Sequence, residues 1–139
     1  MSSGVVIFLV AVLIIGVITL AIVILTRRGG SLLNIEKYQA KWLGIESSLK
    51  PDDPSSAQLA ILNADKLVDA ALRERDFKGQ TMGERMKAAK TTWSNADHIW
   101  GAHKIRNRIA HEPDVKVSYD IAKRALVAYK QALKDLGAI

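Results

Sequence analysis

The sequence predicts an all-α protein: a single N-terminal transmembrane helix followed by a small antiparallel helical bundle. Three observations predict it. Gly4–Leu25 is almost wholly Val, Ile and Leu, and no Asp, Glu, Lys, Arg or His occurs before Arg27. Further on, apolar residues recur at three- and four-residue spacing with no convincing strand alternation. Helix-capping and helix-breaking residues punctuate those segments at short intervals.

The chain has 139 residues, room for about one compact domain and one appended segment. All 20 basic and 14 acidic residues follow Thr26, so the net charge of +6 belongs to the downstream part. That balance permits association with phosphates or anionic lipid without demanding either. There are no cysteines, which excludes disulfides, thiolate nucleophiles and cysteine-ligated zinc.

At about 1.5 Å per residue, the span 4–26 matches a hydrocarbon core of roughly 30 Å. A cleaved signal peptide fits poorly, because the start Met1–Ser3 carries no basic side chain and no small-x-small site follows the run. Arg27 and Arg28 should stay on the cytoplasmic side of the plasma membrane. Residues 1–3 are then outside, and the domain at 32–139 is cytoplasmic. Gly29, Gly30 and Ser31 supply a short joint within the linker 27–31.

Four apolar stripes and one polar segment are expected to form the bundle. The first helix, about Leu32–Leu49, carries Ile35, Tyr38, Trp42, Ile45 and Leu49 along one side, with Ser31 as N-cap. Asp53 and Pro54 suit the cap and first turn of the second, about Ser55–Asp76. Its broad core face includes Ala57, Ala60, Ile61, Ala64, Val68 and Leu72, with Leu67 and Ala71 also in that arc. Leu59 and Leu62 fall outside it, as plain surface residues or as a partner contact. Thr81 with Glu84 resembles a capping box for a short polar helix through about Thr92. Ser94 with Asp97 resembles another, opening the helix that Pro113 stops. The last helix, about Tyr119–Leu136, starts at Ser118, presents Ile121, Ala122, Ala125, Leu126, Tyr129 and Leu133 to the core, and ends at Gly137.

The stretch Asp97–Pro113, DHIWGAHKIRNRIAHEP, carries the chemistry. At about 100° per residue, Ile99, Ala102, Ile105, Ile109 and Ala110 should face the core. Arg106 falls in the same arc, where a guanidinium is costly unless it meets a polar pocket or a carboxylate on another helix. Trp100, His103, Asn107 and His111 form a second stripe expected to meet solvent or a partner protein. Trp100, His103 and Asn107 accordingly read as a dimer interface. His103 and His111 are two turns apart, too far to share one metal without further ligands, so no metal site is expected. Arg106 and His111 lie roughly 140° apart around the axis. Two copies packed across a two-fold axis could aim both at one target, and a homodimer is the expected state.

The string Arg106-Asn107-Arg108-Ile109-Ala110-His111 resembles the R-x4-6-H motif of HEPN domains, including the polar residue after the arginine. The preceding helix, the proline-containing turn and the alanine-rich final helix are similar to that family in order. The resemblance implies a dimeric HEPN-like helical domain whose site residues are Arg106, Asn107 and His111. It implies a metal-independent endoribonuclease, without cofactor, that cleaves single-stranded RNA by 2′-hydroxyl attack. Lys104 and Arg108 are the expected RNA contacts, and a protein antitoxin or other regulator is an expected partner. Histidine can act as acid or base near neutrality, and arginine offers planar charged donors to phosphate oxygens. The alternative expectation is a non-catalytic dimeric interaction or nucleotide-binding module at the membrane. A third reading is a structural bundle whose basic faces lie on anionic lipid.

Overall fold

The computed structural model describes residues 2–27 and 32–139. Among the described residues the order is α1 (Ser3–Arg27), α2 (Ile35–Ser48), α3 (Pro54–Glu74), α4 (Met82–Ala88), α5 (Ala96–His111) and α6 (Tyr119–Asp135), with no strand. The chain divides into two compact units, 1–31 and 32–139.

In the first unit, Ser3–Val23 has a mean hydropathy of 3.3 and is long and apolar enough to cross a membrane. Its one hydroxyl within the apolar run, on Thr19, donates back to the carbonyls of Ile15 and Gly16, each 2.9 Å away. A polar group in lipid needs such an internal partner. The expected joint, Gly29, Gly30 and Ser31, lies outside the described residues.

In the second unit α3 is the central element, touching α2, α4, α5 and α6. Small residues explain why. Ala57, Ala60, Ala64 and Ala71 are buried on α3 and allow neighbouring backbones to approach closely. Bulk is supplied from the sides by Tyr38, Trp42, Met86, Tyr129 and Leu133. α6 packs on both α3 and α5 and buries Ala122, Ala125, Leu126, Tyr129, Ala132 and Leu133.

Several caps match the expectation. Asp53 accepts from the Ser55 amide at 2.9 Å, Thr81 from Glu84 at 3.2 Å and Ser118 from Ile121 at 3.2 Å. Gly137 follows α6 at φ +72°, the left-handed position that lets a chain leave a helix without a Cβ clash.

Four expectations are corrected. α2 is capped by Asn34, which accepts from Lys37 at 3.0 Å, rather than by Ser31. Ile35 is therefore in the first turn and 49% exposed, off the buried stripe. α4 stops at Ala88, short of Thr92. Beyond it Trp93 turns inward, and its indole N–H donates to the Met86 carbonyl at 3.0 Å. α5 is capped by Asn95, not Ser94. Ser94 instead donates through its amide and hydroxyl to Asp135, at 2.9 and 3.0 Å, joining the start of α5 to the end of α6.

Candidate functional site

α5 lies against α3, and two carboxylates on α3 organise the space between them. Asp65 is 3% exposed. Its Oδ1 accepts from His103 Nδ1 at 2.8 Å and from the Tyr129 hydroxyl at 3.0 Å. Its Oδ2 lies 3.1 Å from Arg106 Nε, at ion-pair distance, but the N–H is not aligned on the oxygen and the contact is Coulombic. Burial, followed by the nearby Asp65 charge, pushes the Tyr129 hydroxyl well above the ordinary tyrosine range, so it remains a donor to Asp65. Three helices thus converge on one carboxylate.

The inward position expected of Arg106 is resolved by that partner. Its side chain is 31% exposed, with Nε toward Asp65 and Nη1 donating to Asn107 Oδ1 at 3.0 Å. Nη2 makes no hydrogen bond among the described residues. With Nε beside Asp65 and Nη1 on Asn107, the Nη2 donors are the ones left for a ligand.

His103 is a correction. It was expected on the outward stripe but is 8% exposed and bound to Asp65. Its position borders the two stripes, roughly 60° from Arg106, and the buried carboxylate draws the ring inward. Trp100, from the same expected interface, is half-buried against the core and meets the His103 ring edge-on, with centroids 6.1 Å apart. Ala110, expected in the core, is exposed, while Ile105 and Ile109 are half-buried.

One turn beyond Asp65, Asp69 accepts Arg85 Nε at 2.7 Å and Nη2 at 3.0 Å. Arg73 Nη2 reaches the same carboxylate at 2.8 Å. Arg85 also donates from Nη1 to the Gly79 carbonyl at 2.6 Å. Gly79 is required there, because a Cβ would sit 2.7 Å from Glu84 Cβ and 2.8 Å from the Arg85 amide nitrogen.

Between α3, α4 and α5 lies an open cleft of about 820 Å³. Trp100, His103, Lys104, Arg106, Asn107 and His111 all line it. The cleft thus brings together six of the seven residues singled out from the sequence. Arg108 is the exception. It lines a separate groove between α5 and α6, of about 630 Å³, and its Nε lies 3.3 Å from Glu112. His111 is exposed at the last turn of α5. Among the described residues no group of three His, Asp or Glu side chains is placed to hold a metal ion.

Sequence reasoning missed Asp65, Asp69 and Arg85. A signal for Asp65 was present. It stands one turn after Ile61, at the edge of the alanine face of α3, the same inward placement that drew attention to Arg106.

Comparison with family models, with curated proteins and with solved structures finds no match for this chain.

Proposed function

We propose that residues 32–139 form a HEPN-type domain, held at the plasma membrane by α1, that cleaves single-stranded RNA without a metal ion. The observation that carries this reading is the shared cleft. Lys104, Arg106, Asn107 and His111 open onto one space, and a buried carboxylate anchors Arg106. Arg106 Nη2 and Lys104 supply charge to a bridging phosphate, and Asn107 holds the guanidinium and offers its amide. In the reaction the ribose 2′-oxygen bonds to phosphorus and the bond from phosphorus to the 5′-oxygen breaks. One base takes the 2′-hydroxyl proton and one acid returns a proton to the 5′-oxygen. A homodimer supplies two copies of His111 for these two transfers. The products are a 2′,3′-cyclic phosphate and a 5′-hydroxyl. The charge on the phosphorane is met by arginine, whose donors are already positioned before the reaction. Arg27 and Arg28 keep the domain on the cytoplasmic side.

The test uses the full chain in lipid nanodiscs with single-stranded RNA and excess EDTA. Cleavage with cyclic phosphate ends is expected, and Arg106→Ala and His111→Ala should each abolish it. Equal cutting by the parent and both variants rejects the reading.

One observation favours a second reading, a non-catalytic dimeric module. Arg106 and His103 are both engaged by Asp65, as a purely structural network would have them. Under that reading the parent shows no cleavage, and Arg106→Ala weakens dimerisation in analytical ultracentrifugation.

A further inference from the structure

The cleft contains more positive charge than its internal pairing uses. Asp65 and Asp69 are matched by Arg106, Arg85 and Arg73. The Glu84 carboxylate accepts the Gln80 backbone amide at 2.6 Å. Lys66 on α3, Lys87 on α4 and Lys104 on α5 also line the cleft, are exposed, and make no ion pair among the described residues. Three elements thus each contribute to the lining of one cleft a lysine that makes no ion pair among the described residues.

Trp100 belongs to the same wall. Trp42 and Trp93 are 4% and 9% exposed, whereas Trp100 is half-buried and lines the cleft. Gly83 on α4 lies beside it, where an added Cβ would stand 3.9 Å from the Trp100 ring, at ordinary van der Waals distance. A flat aromatic beside separated lysines suits a ligand that alternates planar rings with phosphates. Separated cations track a strand, and an aromatic ring stacks a base whatever its identity.

We infer that Trp100 is a base-stacking platform, and that Lys66, Lys87 and Lys104 guide the phosphates of a single RNA strand past it toward Arg106. This rests on the RNA reading of the cleft and adds a binding subsite that extends from the reacting phosphate, with Lys104 shared between the two. It predicts sequence-tolerant recognition of unpaired nucleotides, because a base within a duplex presents no free face to an indole.

The test measures binding apart from cutting. The full chain in nanodiscs is titrated with 2′-O-methyl oligouridine, which lacks the attacking hydroxyl, and with an abasic strand of equal length. The oligouridine should bind about tenfold more tightly and quench the tryptophan emission. The abasic strand should do neither. Trp100→Phe, which keeps a ring and the packing on His103, should retain most of the difference, and Trp100→Ala should lose it. Changing the three lysines to glutamine should weaken both strands alike and flatten the salt slope by about 2. Equal affinity for the two strands, no binding of either, or undiminished discrimination by Trp100→Ala overturns the inference. Discrimination by a parent that cuts no unmodified RNA upholds the platform and defeats the nuclease reading. Cutting without discrimination does the reverse.

Discussion

Asp65 and Asp69 are one turn apart on the same helix, and each holds an arginine from another element, yet they make two different things. At Asp69 the fork is closed. Both carboxylate oxygens meet Arg85, whose side chain is only 6% exposed and whose remaining donor reaches the Gly79 carbonyl. At Asp65 the arginine is held through Nε alone. Oδ1 is occupied by His103 and Tyr129, so Arg106 approaches Oδ2 alone and stays 31% exposed with a donor unused. The difference teaches that a buried carboxylate can either consume a guanidinium or present one. Which it does depends on what else competes for its oxygens.

The largest expected effect tests the closed fork. Arg85→Ala leaves Asp69 in a largely buried setting with only the exposed Arg73, and should cost about 3 kcal/mol, read as a lower unfolding midpoint of the full chain. A cost like that of an ordinary surface change would remove the contrast. Arg106→Ala should separate stability from activity. His103 and Tyr129 still satisfy Asp65 Oδ1, so unfolding should move much less than for Arg85→Ala. The RNA cleavage proposed for the cleft should fall by about 100-fold or more. A variant as unstable as Arg85→Ala would place Arg106 among the structural groups.

Tyr129→Phe sharpens the comparison further. It removes one donor from Asp65 and should cost about 1 kcal/mol, measured by chemical denaturation. The smallest effect belongs to a surface pair, Glu46 with Lys130, 2.9 Å apart with side chains 39% and 41% exposed. Lys130 donates to the Glu46 carboxylate and holds its pKa below the ordinary value, against the opposing effect of partial burial. A depressed carboxyl adds stability above its unfolded pKa and loses it as pH falls through the folded one. Glu46→Gln should therefore lower stability slightly at neutral pH, by no more than about 0.5 kcal/mol. The gap from the parent should close as the pH drops below about 4.

The cleft was partly visible in the chain alone. Arg106, Asn107 and His111 stand within one helical segment, so their spacing and the oddity of an inward arginine could be read directly. The partner that makes the arginine tolerable could not. Asp65 and His103 are 38 positions apart, and Asp65 and Tyr129 are 64 apart. Nothing in local periodicity connects residues on three helices. Arg108 shows the converse limit, since it adjoins Asn107 in sequence yet lies on the α5–α6 side. A helix turns its consecutive residues to different faces.

By itself the sequence determined that the chain is helical, that its first helix is apolar enough to span a bilayer, and where Asp53, Thr81 and Ser118 begin helices. Those outcomes rest on composition, on a period near 3.6 and on hydrogen bonds within one turn, all of which are local. The tertiary structure alone decided that His103 turns inward, that Ser94 serves Asp135 instead of its own helix, and that one carboxylate closes on its arginine while the other leaves a donor unused. Those outcomes depend on which oxygen meets which donor after distant helices have packed, and buried polar groups take the best partner that packing brings within reach.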